Sequence, residues 1–164
     1  MEHESPRYTV KDFLPLIVIF SLIILLTIIH QLYFGWHFRE AIRIFMASFF
    51  LIFGFFKIVN IHKFATAYAM YDLITQQYRW YGYLYPFLEL GLGIAYLFKF
   101  NLLLTNIFTL VLMLVSAAGV FNALRKGNHI VCACLGDVFK VPMTYVTLVE
   151  DLLMALMALL MLFA

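Results

Sequence analysis

Two cysteines stand one residue apart in Arg125-Lys126-Gly127-Asn128-His129-Ile130-Val131-Cys132-Ala133-Cys134-Leu135-Gly136-Asp137, and the chain has no others. Two sulfurs at this range suit three outcomes: disulfide exchange, coordination of a soft metal, or inert packing. A disulfide across a single intervening residue closes a small, strained ring. Strain makes the bond easy to reduce, which suits exchange better than structural stapling. Arg125, Lys126 and Lys140 bring positive charge that favours a thiolate. As ligands, thiolates select soft ions such as Cu(I) or Zn(II). His129 lies three residues before Cys132 and Asp137 three after Cys134, so either adds a donor. Met154, Met157 and Met161 share one helical face, with Glu150 a turn earlier, and their thioethers extend a Cu(I) path on this reading. Methionine alone more often fills gaps in packing.

A second group of chemical residues lies inside apolar stretches. Lys57, Glu89 and Glu150 each cost about 2.5–3.5 kcal/mol on membrane-insertion scales. Two readings stand: a buried Lys57–carboxylate pair that fixes helix packing, or a polar cavity for protons, ions or a small ligand. Asp151 is placed to reach the bundle interior or a water-filled space beside it. Ser48 and Ser116 lack a base nearby in sequence, no phosphate-binding glycine loop occurs, and no hydrolase or transferase site is visible, so whether the chain is an enzyme stays open.

The elements that hold these residues follow from composition. Of 164 residues 65% are apolar and only 12% charged, and the mean hydropathy is +0.97. A soluble domain of this size needs more polar surface, so the solvent is largely lipid. A net charge of +2 without a basic stripe argues against nucleic acid. A bilayer crossing takes about 20 apolar residues. Five segments meet or approach that length: Leu14 to Tyr33, Ile44 to Ile61, Tyr83 to Phe98 (shorter, interrupted by Gly91 and Gly93), Leu102 to Phe121, and Tyr145 to Phe163. The first reads as an uncleaved anchor. Gly82, Gly91 and Gly93 allow close helix approach, and Pro86 is expected in the first turn of its helix. Between the second and third segments Phe64, Tyr68, Tyr71, Thr75 and Tyr78 fall on one helical face, which predicts a helix in the membrane interface or a cap on the bundle end. Seven Lys and Arg flank one set of ends (Arg7, Lys11, Lys63, Arg79, Arg125, Lys126, Lys140) against three at the other (Arg39, Arg43, Lys99). That places the N-terminus and the cysteine loop on the cytoplasmic side, where thiols are kept reduced, which weighs against a redox role.

From the second segment onward the sequence resembles the MauE/DoxX family of redox-associated membrane proteins. The stretches that carry the resemblance are Phe45-Met46-Ala47-Ser48-Phe49-Phe50 leading to Phe56-Lys57, Tyr68-Ala69-Met70-Tyr71-Asp72, and Tyr85-Pro86-Phe87-Leu88-Glu89-Leu90-Gly91-Leu92-Gly93. Cys132-Ala133-Cys134-Leu135-Gly136 and Pro142-Met143-Thr144 with Val146-Thr147-Leu148-Val149-Glu150-Asp151 complete them. The resemblance implies a thiol role for Cys132 and Cys134 in the maturation or export of a disulfide-rich partner, in a bacterial inner membrane. No metal-binding or thioredoxin-like domain is fused here, so the expected thiol or metal partner is a separate protein.

The sequence therefore predicts an all-α, polytopic bundle of five transmembrane helices: a tail over 1–12, an anchor over 13–34, and a four-helix MauE/DoxX-like domain over 44–163 with a short interfacial helix. The function expected first is a thiol–disulfide redox accessory with Cys132 and Cys134 as its reactive pair. The alternatives are Cu(I) or Zn handling by Cys132, Cys134, His129 and Met154, and a non-catalytic subunit docked on a larger membrane complex.

Overall fold

The computed structural model describes residues 10–127 and 143–164. The described residues form seven helices and no strand: α1 (Val10–Phe34), α2 (Phe38–Val59), α3 (Ile61–Tyr68), α4 (Leu73–Gln77), α5 (Arg79–Leu97), α6 (Leu102–Arg125) and α7 (Met143–Phe163). Four stretches are long and apolar enough to cross a membrane: Phe13–Phe34, Phe38–Val59, Leu102–Arg125 and Tyr145–Phe163. In lipid each backbone polar group must be satisfied within its own segment, which is why long apolar stretches become helices.

α2 is the central element. Ile42, Met46, Phe49, Phe50, Phe53 and Lys57 recur at helical spacing and are all buried. α1 lies on α2 through Phe20, whose ring is 6.4, 6.1 and 5.9 Å from those of Phe45, Phe49 and Phe53. Gly35, at φ +90°, turns the chain between them, and the Gln31 side chain accepts from His37 N at 2.9 Å to hold that turn.

α5 runs antiparallel to α2. Arg43, near the start of α2, donates to the carbonyls of Tyr96 and Leu97 at 2.5 and 3.0 Å. Lys57, near the end of α2, meets Glu89. The last carbonyls of a helix have no partner within it, so the Arg43 guanidinium caps α5. Arg43 is thus a buried residue of α2, not part of a loop. Glu40 holds it at 2.6 Å and also reaches Lys99 at 3.1 Å. Two glycines set how closely the pair packs. A Cβ at Gly93 would sit 2.8 Å from Leu51 Cγ and 3.0 Å from the Leu51 nitrogen, and one at Gly54 would sit 3.2 Å from Leu90 Cγ.

Four expectations change. α5 begins at Arg79 and continues through both Gly91 and Gly93. Pro86 lies well inside it, where it removes the hydrogen bond to the Gly82 carbonyl. Gly91 faces open space and is no close-approach site, since a Cβ there meets nothing within 4 Å. Nor is the aromatic stretch one helix: it breaks after Tyr68, and Asp72 starts α4 by accepting from Thr75 N at 2.7 Å. Phe64, Tyr68, Tyr71 and Thr75 point inward while Tyr78 stays exposed. α3 and α4 fold back over one end of the bundle. There a Cβ on Gly119 of α6 would lie 2.8 Å from the Tyr71 carbonyl oxygen, and one on Gly82 of α5 would lie 2.9 Å from Thr75 Cγ2. α6 packs chiefly on α7.

Gly93→Ala is expected to lower the unfolding midpoint of the detergent-solubilised protein, because overpacking against the Leu51 backbone costs about 1–3 kcal/mol. Gly91→Ala is expected to hold or raise it, since alanine is the better helix former by about 1 kcal/mol. Thermal melts of the two variants side by side check both.

Candidate functional site

A buried polar cluster lies where α2, α5, α6 and α7 meet beneath the α3–α4 cap. Its centre is Lys57, 6% exposed, whose Nζ donates to Glu89 Oε1 and Oε2 at 2.6 and 2.7 Å. The rings of Phe64 and Tyr85 flank the ammonium, 5.4 and 5.1 Å from Nζ to centroid, and add cation–π attraction where water is excluded. Ser116 of α6 donates to Asp151 Oδ2 of α7 at 2.7 Å, with both residues buried. Tyr85, buried, lines one cavity with Glu89 and Ser116. Lys57, Tyr68, Glu89, Ser116, Glu150 and Asp151 line the same cavity, of ≈ 10 Å³. At its rim Asp72 Oδ2 accepts from both the backbone and the hydroxyl of Thr75, at 2.7 and 2.8 Å. Burial holds the Tyr68 phenol well above its ordinary pKa, so it stays a hydrogen-bond donor.

Of the sequence-derived candidates, the fold joins Lys57 to Glu89 and sets Glu150 in the same cavity wall. Glu150 also borders a second, wholly apolar groove of ≈ 350 Å³ between α1 and α7, lined by Leu16, Phe20, Tyr145, Val149 and Leu153. Met154 is 0% exposed and packs in the apolar core with Ala155, Ala158 and Met161. It stands about 16 Å along α7 from Met143 at 1.5 Å per residue, so the fold does not bring its thioether to the start of that helix. Cys132, Cys134, His129, Asp137 and Lys140 lie outside the described residues. Among the described residues no group of three His, Cys, Asp or Glu is arranged to hold a metal ion. The described chain stops at Gly127, just after α6, and resumes at Met143, the start of α7.

Sequence reasoning missed Ser116, Asp72, Tyr68 and Tyr85 as members of this cluster. For Ser116 a signal existed. Thr105, Thr109 and Ser116 recur along one face of an otherwise apolar helix, and all three are buried. Polar side chains at helical spacing in a span mark the face turned to neighbouring helices. Asp72 carried no such sign, because its inward direction depends on the break between α3 and α4.

Residues 35–164 match the family model described as "Methylamine utilisation protein MauE". That stretch begins after α1 and takes in every other described helix. No curated protein and no solved structure matches the chain.

Lys57→Met strands the Glu89 carboxylate in the interior and is expected to cost about 3–5 kcal/mol of stability. Lys57→Met with Glu89→Gln removes both charges and is expected to recover most of that loss. Denaturant unfolding of the purified single and double variants measures the difference.

Proposed function

The chain belongs to the MauE family, and on that premise we propose that this multi-pass membrane protein is a thiol–disulfide accessory of the bacterial inner membrane, with Cys132 and Cys134 as its exchanging pair. What supports the reading is where the pair is tethered. In sequence the pair falls between α6 and α7, whose Gly119, Thr147 and Asp151 lie by the α3–α4 cap and the polar cluster. Arg125 and Lys126, at the end of α6, put positive charge at the root of the stretch 128–142, which favours the reactive thiolate. One cysteine attacks the disulfide of a separate partner protein and forms a mixed disulfide. The other resolves it, so two electrons pass and the partner leaves as a dithiol.

In this proposal α5 is the fifth span. Its 19 residues cover about 28 Å at 1.5 Å per residue, close to the ~30 Å hydrocarbon core, and it accompanies α2 from Arg43 to Lys57. The N-terminus, the α3–α4 cap and the stretch 128–142 then share one side, and the excess of Lys and Arg marks that side as cytoplasmic. Cytosolic reductants keep thiols there reduced. The pair accordingly rests as a dithiol and acts as the electron donor in each exchange.

In Cys132→Ser and Cys134→Ser, one variant is expected to trap a mixed disulfide with the partner, visible on non-reducing gels and absent from the double variant. Copper or zinc bound to the purified protein and lost in both single variants, with nothing trapped, would replace this reading with metal handling. Unchanged partner maturation in the double variant would replace it with a docking subunit. In a cysteine-free background, Gln77→Cys and Phe100→Cys are expected to label from opposite sides of the membrane. Labelling from the same side would remove α5 from the spans.

A further inference from the structure

The apolar groove between α1 and α7 has a definite depth in the membrane. Its lining comes from the first turns of two spans, with Leu16 and Phe20 from α1 and Tyr145, Val149 and Leu153 from α7. Tyr145 to Leu153 covers about 12 Å at 1.5 Å per residue, close to half of the ~30 Å hydrocarbon core. The groove therefore opens at the membrane surface where both spans begin, and it reaches about as deep as one leaflet. Its described lining exposes no polar atom, so Glu150 contributes only its methylene stem there, while the same residue also lines the polar cavity. A space lined this way stays dry, and leaving it unfilled forfeits the dispersion contacts of every lining side chain. At ≈ 350 Å³ it lies within the size range of ligand sites, and the filling a bilayer offers is a hydrocarbon chain.

Hydrocarbon alone gives no selectivity, because free lipid tails are as apolar as the groove. Charge supplies it. The Ser116–Asp151 hydrogen bond fixes the register of α6 on α7. Beyond that bond Gly119 of α6 meets the Tyr71 carbonyl of the cap, and Thr147 of α7 joins Phe64 and Tyr71 around the cavity, so α6 ends at the level where α7 begins. Arg125 stands about 14 Å along α6 from Ser116, and Tyr145 about 9 Å along α7 from Asp151, toward the same end. Arg125 and Lys126 thus lie about 5 Å outside the level of Tyr145, at headgroup depth. Both are exposed, and neither meets an acid among the described residues. Tyr145, itself exposed, adds a ring of the kind that favours that depth.

We propose that this groove is a binding site for one anionic phospholipid. One acyl chain lies between α1 and α7 along Leu16, Phe20, Val149 and Leu153, and the phosphate headgroup meets Arg125 and Lys126. The bound chain covers the stem of Glu150 and so closes the lipid-facing flank of the polar cluster. The site goes beyond the thiol reading and does not depend on it, because both cysteines can be serine in every sample.

The test places the full chain in vesicles of equal parts phosphatidylglycerol and phosphatidylcholine, extracts it in mild detergent and reads bound lipid by native mass spectrometry. The wild type is expected to carry one phospholipid per chain, with phosphatidylglycerol favoured by about 25-fold, each cation contributing about fivefold. Val149→Trp, which fills the groove from an exposed position, is expected to lose the lipid, and Leu153→Phe gives the same reading if Val149→Trp does not fold. Leu156→Trp, exposed on α7 outside the groove, is expected to match the wild type. Arg125→Gln with Lys126→Gln is expected to keep a lipid but to hold the two kinds equally. A wild type that carries no lipid, or a second copy of the chain in its place, overturns the proposal. So does full retention in a folded groove-filled variant, or an undiminished preference for phosphatidylglycerol without the two cations.

Discussion

An ammonium and a carboxylate shut away from water on two antiparallel helices govern most of this fold. Neither Lys57 nor Glu89 is tolerable alone in the interior, and their short, two-pronged contact offsets much of the desolvation each suffers. To make it, α2 and α5 must hold one register along their length. Gly54 and Gly93 permit that register because their missing side chains leave room for Leu90 and Leu51. Arg43 locks its other end by gripping the last carbonyls of α5. Ser116 donates to Asp151 across α6 and α7, and both line the cavity that holds Lys57 and Glu89, so the cluster sits where the α2–α5 pair meets the α6–α7 pair.

The cap follows from the same constraint. A charged pair near the end of α2 would draw in water unless something covered it. α3 and α4 do so with Phe64, Tyr68 and Tyr71, all buried. Phe64 stacked on Tyr68 at 5.0 Å, and Tyr68 tilted against Tyr85 at 4.6 Å, close the lid from above. Asp72 fixes the break that lets two short helices follow a curve one straight helix would overshoot.

The all-helical class and four of the membrane-length helices were legible in the sequence, because long apolar stretches in lipid have few alternatives. The charged centre was partly so. Lys57 and Glu89 stood out as ionisable residues in apolar surroundings, but Glu150 competed with Glu89 as partner, and only the packing of α2 on α5 decides between them. The inward turn of the aromatic stretch was half visible: periodicity marked the face, while the break at Asp72 depends on Gly119 and Gly82 admitting the turn and Thr75 to close contact. Asp151 was noticed beside Glu150 without its partner, since Ser116 lies on another helix 35 residues away. Sequence-local reasoning found single residues and missed the links between helices.

Arg43 and Lys57 also bear on how the chain enters the bilayer. α2 carries both cations on its buried face, and the counter-groups they meet across the interface arrive only with α5. By itself α2 is a poor candidate for release into lipid, with an interior ammonium costing about 2.5–3.5 kcal/mol. Partition of the two helices as a preassembled hairpin removes that penalty. α1, wholly apolar along most of its length and scarcely covered by the rest, can settle into the membrane first and hold the nascent chain in place while its second and fifth helices find each other.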